Sequence, residues 1–279
     1  MRPRQGFDLG GPSLADDNVS WGTRAFTRRE ADFTEWAASV GANYLLTENV
    51  SIYGRASRGY KMPLLDQYAV GTFPDTAETL WQGEAGVKMS TPTYGLSALA
   101  YLVRLENFPS QDVRIVDGET VFETAIVGEA QTLGFEFEGV LAPYPGVRLN
   151  GQLTLQSAEY QRFIDGGLDL EGNRVRRIPQ VLFGLGGSYT TSGVRLGLDY
   201  RWVGQRYSNT LNTVELPAFG VLNARLSYTI PDQGITLSAG VVNALDDKGL
   251  TEGDPRVITA TNGRFIMPRT FELSVGYEF

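Results

Sequence analysis

Residues 147–156 read Val-Arg-Leu-Asn-Gly-Gln-Leu-Thr-Leu-Gln, and residues 194–203 read Val-Arg-Leu-Gly-Leu-Asp-Tyr-Arg-Trp-Val. In both stretches every second residue is apolar or glycine, and most residues between them are polar or charged. Successive side chains of a β-strand point to opposite faces of the sheet, so this alternation predicts strands with one apolar and one polar face. The same pattern recurs at 132–141 and at 270–279.

The length of these segments bears on the environment of the apolar face. They run to about 10 to 14 residues, whereas strands of soluble sheets average about five or six. A tilted strand of about 9 to 11 residues crosses a bilayer. The pattern therefore favours an all-β, antiparallel transmembrane β-barrel over a soluble β-sandwich. The longest nearly apolar stretch, 95–103, is about half the length that a transmembrane helix requires.

The connections between segments alternate between short and long, as in outer-membrane barrels with tight periplasmic turns and extended extracellular loops. Short links are expected near 46–49, 91–94, 143–146, 191–193 and 231–234. Long links are expected near 60–77, 108–128, 161–178, 206–216 and 245–264.

The segments number about eleven and follow one another as a meander. Their expected positions are 33–45, 50–59, 79–90, 95–107, 129–142, 147–160, 179–190, 194–205, 217–230, 235–244 and 265–279. Bacterial single-chain barrels have an even number of strands, so an odd number implies a missing piece. Either residues 1–32 contain a further strand, for instance around 19–26, or the chain is the C-terminal part of a larger barrel.

Composition excludes several classes of function. The 279 residues carry a net charge of −8, which disfavours binding to nucleic acid through a basic surface. Cysteine and histidine are both absent. Without them there is no disulfide, no thiolate or imidazole metal site and no Ser-His-Asp triad, so we expect no catalytic site, no metal site and no cofactor. Residues 1–18 lack the apolar run of a secretory signal.

Five short motifs then give the chain a family resemblance. They lie in order on the segments that the alternation predicts to be strands, or next to them. They are Ser57–Pro63, Pro74–Thr76 with Glu84–Lys88, Gly128–Glu136, Val242–Lys248 and Pro268–Phe279. Together they resemble the C-terminal half of the β-barrel of a TonB-dependent outer-membrane receptor.

This resemblance implies a barrel of about 22 strands, of which these segments would be the last eleven. Residues 33–279 would form the C-terminal half of the barrel, and residues 1–32 would be an extracellular loop or the remnant of a preceding strand. The N-terminal plug domain, the TonB box and the signal peptide of the family are absent from this sequence. The chain is therefore expected to be a fragment or a truncated product, located in the outer membrane of a Gram-negative bacterium.

Charged residues on the polar faces are expected to line the lumen. They could form a substrate route, or they could bond to a plug or to one another across a wet interior. These residues are Arg55, Glu84, Glu136, Glu138, Arg148, Arg195, Asp199, Arg201, Arg225 and Glu272.

Aromatic and basic residues of the long links are candidates for ligand binding. Guanidinium groups and aromatic rings could hold an anionic ligand such as a ferric siderophore. The candidates are Tyr60, Tyr68, Phe73, Arg174, Arg176, Arg177, Tyr207 and Arg264. The cluster from Arg174 to Arg177 could equally meet lipopolysaccharide phosphates. The acidic run Asp165, Asp169 and Glu171 lacks the ligand spacing of a calcium loop, so we interpret it as hydrated loop.

Aromatic residues near strand ends, among them Trp81, Tyr200, Trp202 and Tyr277, are expected to form interfacial girdles. The alternating C-terminal segment also resembles the signal that the barrel-assembly machinery reads in outer-membrane proteins. Its residues are Phe271, Leu273, Val275, Tyr277 and Phe279.

Three functions remain open at this point. The resemblance implies active uptake of a scarce nutrient, such as a ferric siderophore, energised through TonB by way of the plug. The alternative is a passive porin or structural barrel, selective only through the width and charge of its lumen. An outer-membrane enzyme is disfavoured by the lack of histidine. The expected partners are outer-membrane lipid and lipopolysaccharide, TonB, the barrel-assembly machinery and a small metal chelate.

Overall fold

The computed structural model of the protein describes residues 32–63, 76–116, 119–165, 167–253 and 263–278. Every regular element within these residues is a β-strand, and none of them forms a helix that could cross a membrane. In chain order the strands are β1 (Ala38–Thr47), β2 (Val50–Lys61), β3 (Glu78–Ser90), β4 (Tyr94–Val116), β5 (Glu119–Leu141), β6 (Val147–Arg162), β7 (Ile164–Asp165), β8 (Leu168–Asp169), β9 (Val181–Thr191), β10 (Val194–Val203), β11 (Arg206–Tyr207), β12 (Glu215–Leu216), β13 (Phe219–Ile230), β14 (Ile235–Val242), β15 (Leu250–Gly253), β16 (Gly263–Phe265) and β17 (Thr270–Tyr277).

Eleven of these strands form one antiparallel sheet. Its order is β1-β2-β3-β4-β5-β6-β9-β10-β13-β14-β17, so each strand pairs with the next long strand in the chain. The other six strands make three two-stranded hairpins within the long connections. The predicted antiparallel meander of eleven long strands is therefore confirmed.

The strand registers assign each residue to one of two faces, because residues directly opposite each other in a ladder share a face. Phe137, for example, lies opposite Ala98 on one side and Leu153 on the other. The next residue, Glu138, lies opposite Gln152 on the other face. We refer to these as the apolar face and the polar face of the sheet.

Aromatic residues mark both ends of the apolar face. At the end with short turns lie the exposed tyrosines Tyr44, Tyr94, Tyr189, Tyr228 and Tyr277. At the end with long connections lie Trp36, Trp81, Tyr200, Trp202 and Phe271. Between the two rows, the apolar face of the described strands carries no charged residue. This arrangement matches the apolar band and aromatic girdles of outer-membrane barrels.

Glycines with positive φ angles shape three of the short turns. They are Gly146 (φ 80°), Gly193 (φ 81°) and Gly234 (φ 63°). A Cβ atom on any of them would collide with a backbone oxygen of the neighbouring strand. The carbonyl oxygen of each glycine accepts a hydrogen bond from a backbone N–H of that strand, at Thr190, Thr229 and Glu278 respectively. Each of these three turns is thereby bonded to the next long strand of the sheet or to its end.

The first strand begins at Ala38 rather than near residue 33, because the side chain of Arg58, and not a neighbouring strand, contacts the residues before Ala38. The Arg58 guanidinium donates to the Glu35 carboxylate at 2.9 Å and to the Trp36 carbonyl oxygen. It also lies 4.5 Å from the Trp36 ring and 5.5 Å from the Trp81 ring. Side-chain contacts thus replace the ladder hydrogen bonds there.

The predicted link at 108–128 is instead a continuation of β4 and β5. These strands pair from Tyr94 with Leu141 as far as Val116 with Glu119. Strand β3 pairs with β4 only as far as Glu106, so Pro109 lies where β4 has no partner on that side. A proline, which lacks an N–H, is tolerated at such an edge.

The last long strand begins at Thr270 rather than near 265, because Gly263–Phe265 pairs with β15 instead. Asn243, which is buried and has a φ of 51°, secures the connection before it. Its side-chain amide donates to the carbonyl oxygens of Asp247 (2.9 Å) and Met267 (3.0 Å), and its Oδ1 accepts from the Asp247 N–H (3.1 Å). Its own N–H donates to Asn223 Oδ1 on β13 at 3.0 Å.

An arginine in the middle of the apolar face should destabilise the protein. Leu198→Arg places a guanidinium near the centre of the band, where Arg or Lys costs about 2–4 kcal/mol. Gly197→Arg is the matched control, because the neighbouring residue belongs to the polar face and a Cβ there meets nothing within 4 Å. We expect urea unfolding in lipid vesicles to show the loss for Leu198→Arg alone. Equal losses would contradict the assignment of the faces.

Loss of the Asn243 side chain should destabilise the connection between β14 and β17. Asn243→Gly keeps the backbone conformation accessible but removes three side-chain hydrogen bonds in a buried position, each worth about 1 kcal/mol. Asn243→Ala adds the strain of a Cβ at positive φ and should be less stable still. Denaturant unfolding of both variants measures the two effects. If both variants unfolded like the parent protein, Asn243 would not secure this connection.

Candidate functional site

Three long connections lie at the same end of the sheet. We call residues 163–180 the first connection, residues 204–218 the second, and the described residues of 243–269 the third. They contain the hairpins β7–β8, β11–β12 and β15–β16 respectively. Contacts between these connections, rather than contacts within the sheet, form the candidate site.

A small apolar core supports the first connection. Ala130, Tyr160, Phe163 and Leu170 are buried, and Phe108 packs against them. The Tyr160 and Phe163 rings lie 5.0 Å apart. This core anchors the first connection on β4, β5 and β6.

Asparagine side chains join the first connection to the second. The backbone N–H of Arg174 donates to Asn212 Oδ1 at 2.7 Å, and Asn212 Nδ2 donates back to the Arg174 carbonyl oxygen at 3.0 Å. Asn173 Nδ2 donates to the Thr210 carbonyl oxygen at 3.0 Å. The Asn212 side-chain amide thus bonds to both the N–H and the carbonyl oxygen of Arg174, as the backbone of a paired antiparallel strand does.

Arg206 joins the second connection to the third. Its side chain is buried and lies 5.5 Å from the Phe219 ring. Its Nη2 donates to the carbonyl oxygens of Leu250 (2.9 Å) and Thr251 (3.1 Å). Burial lowers the pKa of the Arg206 guanidinium from its ordinary value. The described contacts of this guanidinium are with carbonyl oxygens and a ring, so Arg206 acts as a tie between two connections.

Arginines from two connections meet around Tyr207 and Glu252. The Arg174 guanidinium lies 5.8 Å from the Tyr207 ring. The backbone N–H of Arg177 donates to the Tyr207 carbonyl oxygen at 2.6 Å. Arg177 Nη1 is 2.7 Å from Glu252 Oε1, and Arg264 Nη1 is 3.4 Å from Glu252 Oε2. Two guanidinium groups therefore share one carboxylate at a solvent-accessible position.

Five of the eight candidate ligand residues belong to these connections. They are Arg174, Arg176, Arg177, Tyr207 and Arg264. Tyr60 was expected in a long link, but it is part of β2, opposite Thr79 on the apolar face, because β2 continues to Lys61. Tyr68 and Phe73 lie outside the described residues, as does Phe279 of the C-terminal segment.

All ten charged residues expected to line the lumen fall on the polar face of the sheet. Six of them form ion pairs, namely Arg55 with Glu84 (3.0 Å), Arg201 with Asp199 (3.3 Å) and Arg225 with Glu272 (3.1 Å). The other four, Glu136, Glu138, Arg148 and Arg195, form no ion pair within the described part of the chain.

The alternating residues Phe271, Leu273, Val275 and Tyr277 of β17 lie on the apolar face and are exposed. The acidic residues Asp165, Asp169 and Glu171 do not act as one group, since Asp165 is buried and Asp169 Oδ1 accepts the Glu171 N–H at 3.0 Å. Across the described ranges no set of three or more acidic side chains is placed to hold a metal ion.

Sequence reasoning missed Glu252, Arg206 and Asn212. Glu252 pairs with an arginine of another connection, far away along the chain, and no local pattern marks that contact. Arg206 precedes the predicted Tyr207, but nothing in the sequence distinguishes a buried arginine from an exposed one. Asn212 has a φ of 55°, which asparagine tolerates well, but a turn residue gives no sign of the segment it will bond to.

The apolar band, the two girdles and the short and long ends together define an outer-membrane β-barrel, and comparison with known proteins identifies the family. The family model described as "TonB dependent receptor-like, beta-barrel" matches residues 12–244, and the chain belongs to this family. It is a family of receptors and transporters rather than enzymes. The fold and the family place the chain in the outer membrane of a Gram-negative bacterium.

Individual relatives agree with this assignment. The chain is 25% identical over 249 residues to the ferrichrome outer membrane transporter/phage receptor of Escherichia coli (strain K12), covering 86% of this chain and 32% of the relative. Its fold is similar to that of the ferric-catecholate import receptor Fiu from E. coli K12, with a TM-score of 0.75 and 19% identity over 100% of this chain and 40% of that one. It is also similar to the ferric yersiniabactin uptake receptor FyuA from Yersinia pestis, with a TM-score of 0.75 and 20% identity over 92% of this chain and 39% of that one. The chain thus spans well under half the length of these relatives.

Removal of the Arg206 guanidinium should loosen the third connection without affecting the sheet. Arg206→Gln replaces the guanidinium with a shorter amide that does not reach the carbonyl oxygens of Leu250 and Thr251, while the eleven-stranded ladder stays intact. We expect faster amide hydrogen exchange at 249–252 and unchanged exchange in β9 and β10. Arg201→Gln, an exposed arginine on the polar face of β10, is the control. Equal exchange at 249–252 in both variants would contradict a tie through Arg206.

Proposed function

We propose that the protein takes part in active uptake of a scarce nutrient, such as a ferric siderophore, across the outer membrane, with energy supplied through TonB. The observation that carries the proposal is the meeting of Arg174, Arg177, Tyr207 and Arg264 in connections that are tied together at one end of the sheet. The family membership supports the same function, and it disfavours the passive porin.

We propose that the ligand binds at these connections. Guanidinium groups donate several hydrogen bonds in a fixed plane, and aromatic rings stack on flat chelating groups. The ties through Asn212 and Arg206 hold the connections in place before the ligand arrives. Binding then costs less ordering of the protein than it would for separate loops.

The polar face is proposed to line the lumen. Glu136, Glu138, Arg148 and Arg195, which form no ion pair within the described residues, would bond to a plug domain or face water. The other six charged residues offset one another in pairs. We propose that the contact with TonB is made by a plug domain and not by the described sheet.

The apolar face is proposed to contact outer-membrane lipid, and the girdle at the long connections to lie at the level of lipopolysaccharide. Phe271, Leu273, Val275, Tyr277 and Phe279 are proposed as the segment that the barrel-assembly machinery reads. We propose no catalytic role for the chain.

Uptake of the ferric chelate should require both the gene for this protein and the energy that TonB delivers. Cells deleted for the gene should accumulate less radioactive iron from the cognate ferric chelate, and restoring the gene should restore uptake. Because TonB delivers energy from the inner membrane, deletion of TonB or addition of an uncoupler should abolish the gene-dependent uptake. Gene-dependent uptake that persisted with an uncoupler would favour a passive pore instead.

A further inference from the structure

The carboxylate of Glu252 lies between two guanidinium groups that come from different parts of the chain. One oxygen contacts Arg177 of the first connection at 2.7 Å, and the other contacts Arg264 of the third connection at 3.4 Å. The exposed fractions of the three side chains are 41% for Arg177, 33% for Glu252 and 83% for Arg264. The two guanidinium groups are therefore within reach of a molecule arriving from solvent.

The backbone at each arginine is held independently of this ion pair. The N–H of Arg177 donates to the Tyr207 carbonyl oxygen at 2.6 Å. The carbonyl oxygen of Arg264 accepts from Thr251 Oγ1 at 2.7 Å, and Arg264 lies opposite Glu252 in the β15–β16 ladder. Displacement of the Glu252 carboxylate would thus leave the backbone of both arginines in position.

The cluster of Arg177, Arg264 and Glu252 carries a net positive charge. Arg177 and Arg264 carry two positive charges against the one negative charge of Glu252. Arg174, which lies over the ring of Tyr207, forms no ion pair within the described residues. The excess positive charge attracts an anion, and a carboxylate is a group that both guanidinium groups can contact at once.

We propose that Arg177 and Arg264 recognise an anionic oxygen group of the ligand, a carboxylate or a catecholate, and that Glu252 is an internal competitor which this group displaces. The inference rests on the proposed function and narrows it to metal chelates with a negative charge. A neutral chelate cannot replace the lost Glu252 interaction, so the site disfavours it. Because the groups are exposed, the preference should weaken as ionic strength rises.

The test is equilibrium binding of three ferric complexes to the whole protein purified from outer membranes in detergent. The probes are ferric citrate and a ferric tris-catecholate, which are anionic, and a ferric trihydroxamate, which is neutral. The variants are Arg177→Gln, Arg264→Gln and Glu252→Gln. Glu171→Gln is the matched control, because it removes one exposed carboxylate from the first connection without contacting these arginines.

We expect an anionic chelate to bind, and each arginine variant to weaken its binding about tenfold, as for loss of a charged hydrogen bond. Glu252→Gln should strengthen the same binding several-fold, because it removes the competitor and keeps the side-chain shape. Glu171→Gln should leave it unchanged. Thermal unfolding of each variant identifies any that is misfolded, and the opposite signs for arginine and glutamate cannot both arise from a loss of folding.

The contrary results separate this inference from the proposed function. If the neutral trihydroxamate bound best, or if Glu252→Gln weakened binding of the anionic chelates, the competitor role would be overturned while uptake of a chelate still held. If none of the three complexes bound and gene-dependent iron uptake were also absent, the proposed function itself would fail.

Discussion

Hydrocarbon offers no hydrogen-bonding partner, so every backbone N–H and C=O that crosses the bilayer must bond to another strand. The rest of the fold depends on this constraint. It explains why the eleven long strands of the sheet pair in one unbroken series. Within the described residues, β1 and β17 each pair on one side only. Each of these two edges therefore requires a further strand in the membrane.

Beyond the bilayer the same need for bonding partners is met differently. In the long connections, side chains such as those of Asn212, Asn243 and Arg206 bond to backbone groups that no ladder reaches. These bonds join segments that are remote in sequence. The sheet thus supplies a rigid base, and the asparagine and arginine side chains determine how the connections lie on it. The arginine cluster results from this second level of organisation.

The sheet could be predicted from the sequence because alternation of period two is a local property. Leu149, Leu153, Leu196 and Leu198 reveal their face through their immediate neighbours, and so do the ten charged residues opposite them. The family could likewise be inferred from short motifs read in order. Prediction was less successful where partners are distant. The continuation of β4 and β5 past Pro109 depends on where β3 ends, and the position of Glu252 depends on the packing of two connections.

The continuation of β4 and β5 also affects the outline of the molecule. Past Glu106, β4 runs on for ten residues to Val116 paired only with β5. At about 3.3 Å per residue this is an arm of roughly 33 Å, close to the thickness of the hydrocarbon layer itself. Neither β3 nor β6 pairs with this arm, so it is a natural place to attach a fluorescent reporter or raise an antibody without disturbing the rest of the sheet.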